Sequence, residues 1–574
     1  MIPLSEYPRP GMQRDSYVNL NGTWQYAITA EKELPAAYDG DILVPFSPEA
    51  KLSGVERQLQ PGQWLHYRRI FQAPEGEGGR VLLHFGAVDY RCKVMVNQKT
   101  VGTHIGGYLP FTFDITEALQ SGENELLVKV QDPSDTGHQA RGKQVLQNGG
   151  MFYTAQSGIW QTVWMERVPE QYIEKLKMTP IYDERTLRVQ VISENPEGAQ
   201  FILKAGDKVV AETWCDDSGE ATLEIAAKDF HPWSPEDPFL YDLTVSLGPD
   251  TVQSYAAMRK FELKTDRKGI LRIFLNNKPY FMHGLLDQGY WQDGLYTAPS
   301  DEAMIYDIQT CKDMGFNLLR KHSNIEPERW YYHCDRLGMI VWQDMVNGGG
   351  KYKMWFLAYA VNIAHPILRK TKDNKYKFLA RSDKKERERY YPELTQMIEH
   401  LYNHPSIACW VPFNEGWGQF DAKKATELVR KLDNTRLVDE ASGWFDQGGG
   451  DFNSIHNYFF PLHVKPEKAR AVVLSEYGGI SWPCPGHCYS EKVYGYGTAK
   501  SGEELAQRYE KLVAGSVLAQ IQNGLSALVY TQVSDVEDEV NGLMTYDRKV
   551  MKLDPQVSRK CAEALFAEFS KCVK

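Results

Sequence analysis

The chain has 574 residues, with 65 Lys and Arg against 75 Asp and Glu and a net charge of −10 at pH 7. That balance argues against a nucleic-acid coat or a basic membrane-surface patch, and 42% apolar with 24% charged residues excludes wholesale disorder. The length predicts two to four domains, and the 12% aromatic content, with 14 Trp and 32 Tyr, suits sugar faces as well as large β-rich cores. Met1-Ile-Pro-Leu-Ser-Glu has no basic region followed by an apolar stretch, so no secretion signal is expected. The most apolar segment, Met354 to Leu368, is interrupted by Asn362, His365 and Pro366 and is too short to span a bilayer. The nine cysteines are odd in number and scattered, which fits a reducing compartment. Cys484, His487 and Cys488 lack a second ligand pair at zinc spacing and read as a loop. A cytoplasmic protein with no membrane and no nucleic-acid partner is the expectation.

In chain order, residues 1–171 read as a β-sandwich. Alternating runs such as Trp64–Phe71, Val81–Phe85, Lys93–Val96 and Glu125–Val130 are separated by Gly, Pro, Asn and Asp turns. Residues 172–264 give a second set, Leu187–Ile192, Gln200–Ala205, Ala221–Ile225 and Leu240–Ser246, of a size that suits an immunoglobulin-like sandwich. From 265 to 574 the rhythm becomes strand, helix, strand. Eight strands are predicted at Tyr280–Leu286, Asn317–His322, Met339–Met345, Ile407–Phe413, Arg436–Ala441, Asn453–Tyr458, Ala471–Leu474 and Ala527–Gln532. Helices are predicted at Ser300–Met314, Glu326–Leu337, Pro392–Leu401, Ala422–Leu432 and Gly502–Asn523. That is the arithmetic of a (β/α)8 TIM barrel, with an insertion, Asn347–Lys385, after the third strand.

The C-terminal ends of barrel strands face the active site. Here they carry His283 and Asp287, Arg320 and His322, Asp344, Asn414 and Glu415, Ser442, His456 and Tyr458, Glu476, and Thr531 with Asp535. Glu415 ends the fourth strand and Glu476 the seventh, on opposite sides of a barrel mouth. Two facing carboxylates are what glycosidic cleavage needs: one protonates the leaving oxygen and the other, ionised, attacks the anomeric carbon. Asn414 can reach a sugar 2-hydroxyl beside Glu415. Asp344 and Asp535 are candidates for sugar hydroxyls, and Trp417, Trp444 and Trp482 for stacking platforms. If Arg320 and His322 both face the cleft, a guanidinium fork there can grip an acidic sugar; alternatively Arg320 orders Glu415 or Glu476.

Trp410-Val-Pro-Phe-Asn-Glu-Gly-Trp-Gly-Gln and Val472-Val-Leu-Ser-Glu-Tyr-Gly-Gly resemble the fourth and seventh strand ends of the retaining clan A glycosidases. Leu20-Asn-Gly-Thr-Trp-Gln, Phe85-Gly-Ala-Val-Asp, Gly107-Tyr-Leu-Pro-Phe-Thr-Phe-Asp, Ser157-Gly-Ile-Trp, Gly315-Phe-Asn-Leu-Leu-Arg, Cys334-Asp-Arg-Leu-Gly-Met-Ile-Val-Trp-Gln-Asp and Asn541-Gly-Leu-Met-Thr-Tyr-Asp-Arg extend the likeness. Together they resemble glycoside hydrolase family 2, the β-galactosidases, β-glucuronidases and β-mannosidases, over essentially the whole chain. The resemblance implies a jelly-roll-like sugar-binding sandwich, an immunoglobulin-like sandwich and a catalytic barrel. It implies Glu415 as acid/base, Glu476 as nucleophile and Tyr458, in His456-Asn-Tyr, as the tyrosine that hydrogen-bonds the nucleophile. His322 takes the family's sugar-contacting histidine role although Arg320-Lys-His-Ser-Asn departs from the usual Arg-x-Ser-His-Tyr-Pro. The Asn-x-Lys signature of β-glucuronidases is not evident after Glu476.

The expected function is therefore a retaining exo-β-glycosidase acting through a glycosyl ester on Glu476. A β-galactoside ranks first as substrate, and a β-uronide or β-mannoside follows. No cofactor is required by that chemistry; the family's galactosidases often use Mg²⁺, but no dense oxygen-ligand cluster places one. A homo-oligomer through the N-terminal sandwich is expected from the resemblance. A non-catalytic carbohydrate-binding protein and a transglycosylase are the rival readings.

Overall fold

The computed structural model describes residues 2–353, 368–459 and 461–574. All of the apolar segment Met354–Leu368 but its last residue lies outside the described residues, and so does much of the expected insertion. The first sandwich packs a six-stranded antiparallel sheet against a four-stranded one. In the larger sheet Glu123–Gln131 is central, paired with Trp64–Gln72 on one side and Arg91–Val96 on the other. Period-two alternation explains the core: Leu126, Val128 and Val130 point inward with Val81, Leu83 and Phe85 from the facing sheet, all six fully or almost fully buried. The second sandwich sets Lys175–Ile181, Thr186–Ile192 and Glu220–Glu224 against a four-stranded sheet that includes Gln200–Ala205 and Tyr241–Leu247.

The barrel strands are β1 (Met282–Asp287), β2 (Leu318–Lys321), β3 (Ile340–Asp344), β4 (Ile407–Val411), β5 (Leu437–Val438), β6 (Phe452–Asn457), β7 (Ala471–Gly478) and β8 (Leu525–Thr531). They pair in parallel in the order β5-β4-β3-β2-β1-β8-β7-β6. The remaining seam is bridged where the Asp451 amide donates to the Val438 carbonyl at 2.7 Å. All eight predicted strands are present. The strand Phe261–Thr265 pairs with Leu271–Leu275, and Phe261, Ile273 and Leu275 close the barrel floor against Met282, Leu318 and Ile340.

The helices depart from expectation in three places. The predicted Pro392–Leu401 begins at Lys384, because Asp383 caps it by accepting from the Lys385 and Glu386 amides; Pro392 sits inside the helix. Among the described residues no helix follows β5 or β6, where segments 439–451 and 458–470 run without regular structure, so the expected eight βα units are incomplete. A helix not predicted, Pro555–Val573, starts with proline at its first turn and buries Cys561, Leu565 and Phe569.

The helix Glu328–Leu337 ties the barrel to the second sandwich. Its buried Asp335 carboxylate accepts from the Tyr255 hydroxyl at 2.7 Å, His404 Nδ1 at 2.7 Å and the Ser406 amide at 2.9 Å. Asp335→Ala leaves the Ser406 amide unpaired and the Tyr255 hydroxyl and His404 Nδ1 only each other, at 3.2 Å, so a loss of about 3 kcal/mol is expected, read as a lowered urea midpoint.

The segment 132–156 leaves the first sandwich and docks on the barrel mouth. Both the Arg141 and Gly142 amides donate to the Asn347 carbonyl at 2.9 Å, beyond the end of β3. Gly142 lies at φ +60°, and a Cβ there would come within 2.8 Å of the Ser323 carbonyl oxygen and 3.0 Å of the Tyr296 hydroxyl. Tyr153 donates its hydroxyl to Glu539, and Asn148 donates its amide to Glu537 at 2.7 Å.

Candidate active site

On β2, alternation sends Arg320 and Lys321 to opposite faces. Lys321 turns outward, and its ammonium donates to Asp287 at 2.7 Å and Glu326 at 2.8 Å over the Trp330 ring. Arg320 turns inward and is fully buried. Its Nε and one terminal nitrogen grip both Asp344 oxygens at 3.0 Å. The terminal nitrogens also reach Asn414 Oδ1 at 2.8 Å, Glu476 Oε1 at 3.0 Å and the Ser475 carbonyl at 3.2 Å. All five guanidinium N–H donors are thereby committed.

Two local irregularities aim the acids. Register shifts in β7 between Leu474 and Tyr477, and in β6 at Ile455/His456, put His456 opposite Glu476. Regular alternation would separate Ser475 from Glu476; the bulge lets both side chains face the interior. There the Ser475 hydroxyl lies 2.9 Å from that of Ser442 and 2.6 Å from that of Ser454. Just past the end of β4, Asn414 bridges to Ser442, and Glu415 follows at φ +50° with its amide donating to the Ser442 carbonyl at 2.9 Å. A left-handed glutamate costs about 1 kcal/mol and turns the side chain toward β6 and β7. Gly416 makes the turn fit: a Cβ there would lie 1.9 Å from the Phe445 ring.

Glu415 and Glu476 are both buried. Atoms offered by Glu415, His456 and Glu476 all lie within 4.8 Å of one another. His456 stands between the acids, with Nδ1 2.8 Å from Glu415 Oε1 and Nε2 2.9 Å from the Ser442 hydroxyl and 3.6 Å from Glu476 Oε1. Tyr458 donates its hydroxyl to Glu476 Oε2 at 2.6 Å, and its ring stacks on Tyr496 at 3.8 Å. Burial alone would raise the Glu476 pKa, but His456, Arg320 and the Tyr458 hydrogen bond outweigh it and hold the group at about 2. Burial and the neighbouring Glu476 push Tyr458 well above the ordinary phenol range, so it stays a donor. His322 Nδ1 lies 2.7 Å from Asp344 Oδ2; burial and the charge of Lys143 lower its pKa despite that carboxylate.

Arg320, His322, Asp344, Asn414, Glu415, His456, Tyr458 and Glu476 therefore form one connected cluster. Trp417 joins it through its indole N–H, 3.4 Å from Glu415 Oε2. Trp444 is buried beside it, with Trp417, Leu379 and Phe445. Asp535 does not join. Both its oxygens accept from the Lys552 ammonium, at 2.6 and 2.9 Å, and it also caps the Gly542 amide, so it holds the loop after β8 rather than facing a sugar. Trp482 packs on Ile480, Ala499 and Leu505, away from the cluster. Asp344 is occupied by Arg320 and His322, which makes it an orienting group. Tyr496 and Lys143 were not anticipated: both lie in long connections outside the strand periodicity.

Among the described residues, Glu415, His456 and Glu476 are the one cluster whose composition suits a metal ion. Their donor atoms are already committed to Arg320, Tyr458, Trp417, Ser442 and one another, so an ion there would have to displace protein hydrogen bonds. Carboxylate oxygens of the two acids within 4.8 Å of one another fit the close pair, about 5–5.5 Å apart, of an acid that attacks an anomeric carbon and one that serves the leaving oxygen better than the wider spacing of about 6.5–9.5 Å that accommodates a water.

The sequence matches three domain families in order. Residues 48–162 match the glycosyl hydrolase 2 galactose-binding domain-like family, 171–259 match glycosyl hydrolases family 2, and 268–550 match the glycosyl hydrolases family 2 TIM barrel domain. A Formosa agariphila relative is 27% identical over 539 residues, covering 84% of this chain and 59% of that protein. A Leuconostoc mesenteroides β-galactosidase is 25% identical over 563 residues, 91% of this chain and 49% of that protein. The chain thus spans about half to three-fifths of the length of these curated relatives. A Ruminococcus gnavus β-glucuronidase structure superposes with a TM-score of 0.76 at 17% identity, covering 98% of this chain and 99% of that one, a likeness of fold. The three ordered domain matches, on a barrel with paired glutamates at its fourth and seventh strands, place this chain in glycosyl hydrolases family 2.

Proposed function

We propose that the chain is a retaining exo-β-glycosidase. The observation that carries this reading is the Glu415–Glu476 pair at the barrel mouth, with Glu476 kept ionised by His456, Arg320 and Tyr458. Glu476 attacks the anomeric carbon while Glu415 gives its proton to the departing glycosidic oxygen. Water then opens the glycosyl ester as Glu415, now a carboxylate, takes a proton from that water, so Glu476 is released ionised, Glu415 is reprotonated and the anomeric configuration is retained. Arg320 fixes the Asn414 amide by its oxygen; the amide nitrogen has no partner among the described residues and is free to donate to a sugar hydroxyl. Asp344 holds His322 through Nδ1, which leaves Nε2 for a second hydroxyl. No step calls for a metal, and chelation is expected to leave kcat/KM unchanged.

The glycone is the finer question. Relatives and fold neighbours carry the names β-galactosidase and β-glucuronidase. Arg320 supports neither, because its donors are spent on Asp344, Asn414, Ser475 and Glu476. The test is nitrophenyl release from β-galactoside, β-glucuronide, β-galacturonide, β-mannoside, β-glucoside and α-arabinopyranoside, with Glu476→Gln alongside. Release from one sugar that vanishes in the variant supports the reading. Undiminished release in the variant would remove Glu476 from the nucleophile's role, and silence across the panel with oligosaccharide binding retained would favour a non-catalytic binding protein.

The Glu476 pKa sets a pH expectation. A carboxylate depressed to about 2 loses its active, ionised form only as pH falls through that value. The kcat/KM plateau should therefore extend down to about pH 4. An acid limb centred near pH 6 would show that some other group must ionise first.

A further inference from the structure

We propose that Lys143, delivered to the barrel mouth by the first sandwich, is the residue that selects the substrate's glycone, by binding the carboxylate of an acidic sugar. The inference rests on the glycosidase reading above and names its substrate class. Lys143 is only 7% exposed. No hydrogen bond or ion pair ends on its ammonium among the described residues; the group lies 5.5 Å from the centre of the Tyr153 ring. Its charge reaches His322, a member of the cluster.

Among the described residues, five other buried cations lie near the strand ends; Arg141 and Arg381 bond only backbone carbonyls, of Gly349 and Gly350 and of Gly418, and the remaining three have carboxylate partners. Arg320 has no donor left, Lys321 is held by Asp287 and Glu326 on the outer face, and Lys552 by Asp535 and the Val540 carbonyl. A nearly buried ammonium without a counterion is costly to maintain. A carboxylate brought by the ligand removes that cost, whereas a neutral sugar hydroxyl recovers only part of it.

The backbone around Lys143 is built to hold it there. The Arg141 and Gly142 amides converge on the Asn347 carbonyl, Gly142 is pressed against the Ser323 carbonyl, and the Lys143 carbonyl accepts from the Tyr153 amide at 2.9 Å. The parallel pairing of Gln144–Val145 with Tyr153–Thr154 continues that clamp. Lys143 is thus wedged between the segments that leave β2 and β3, on the side of the mouth occupied by His322. Charge selection by a single buried cation is worth roughly 10- to 150-fold when the partner charge is absent.

The experiment compares kcat/KM for nitrophenyl β-glucuronide and β-galacturonide with that for the matching β-glucoside and β-galactoside, in the wild type, Lys143→Met and Lys143→Arg. The wild type is expected to prefer a uronide. Lys143→Met is expected to lose uronide turnover about 100-fold more than neutral turnover, and Lys143→Arg to recover part of the difference. Equal losses on both substrate classes, or a wild type that prefers the neutral sugar, would overturn the proposal. Thermal melts show whether each variant folds. If no glycoside is turned over, the glycosidase reading fails, and calorimetric titration with glucuronate, galacturonate, glucose and galactose judges Lys143 separately. Tighter binding of an acid sugar that disappears in Lys143→Met sustains the role of the lysine; no preference for the acid sugars in the wild type removes it.

Discussion

Glu476→Gln is expected to lower kcat/KM by a factor on the order of 10⁴ to 10⁶, the range in which loss of a covalent nucleophile falls. The substitution keeps one oxygen, which can still accept from Arg320 as Oε1 does, while the new amide NH2 takes the place of Oε2 and can donate to the Tyr458 hydroxyl, which has Thr531 Oγ1 at 3.1 Å as its own partner. Its melting temperature should therefore stay within a few degrees of wild type while turnover collapses. The charge removed is also the one that Arg320 balances, so a modest loss of stability is expected along with the loss of activity. A variant that folds and retains more than about a tenth of wild-type kcat/KM would be incompatible with Glu476 as the attacking group.

Glu415→Gln should separate substrates by leaving group. For alkyl or sugar aglycones, which must be protonated to depart, kcat/KM is expected to fall about 10²- to 10⁴-fold. For a dinitrophenyl glycoside the first step needs no proton, so the glycosyl-enzyme should still form and then persist, because Glu415 is also the base for its hydrolysis. Added azide, which attacks without a base, should accelerate release and yield the β-glycosyl azide. The two acids differ in their neighbours: both lie beside His456, but only Glu476 also has the Arg320 guanidinium and the Tyr458 phenol, whereas Glu415 has a long contact from the Trp417 indole. Equal and complete loss with both leaving-group classes would count against Glu415 in this role.

The strand ends were legible because barrel geometry makes sequence position a proxy for place. Eight apolar runs identified the strands, and the polar residues closing them, Arg320, His322, Asn414, Glu415, His456, Tyr458 and Glu476, meet in one cluster. Alternation on β2 also predicted that Arg320 and Lys321 would part company. What alternation could not show is the bulge in β7 that brings Ser475 and Glu476 to the same side, since bulges change the count by one without a sequence marker. Nor could it distinguish Asp344 and Asp535, two strand-end acids of similar promise: one orients Arg320 and His322, the other is tied to Lys552, which lies seventeen positions further on. Tyr496 and Lys143 come from connections whose place in space depends on tertiary docking. Lys143 belongs to a different domain from the acids it approaches, and only the contacts of Arg141, Gly142 and Tyr153 bring it there. The helix expected from Pro392 begins instead at Lys384, capped by Asp383.

The central claim is that Glu476 becomes covalently glycosylated. The most direct test is to incubate the wild type with the 2-deoxy-2-fluoro dinitrophenyl derivative of whichever glycoside the panel identifies, then digest and sequence the labelled peptide by mass spectrometry. The account predicts one fluoroglycosyl group per chain, on Glu476 in the Val472–Gly479 peptide, with dinitrophenol released in equal amount. A label on Glu415 or another acid, or turnover that proceeds with inversion and leaves no label, would contradict it.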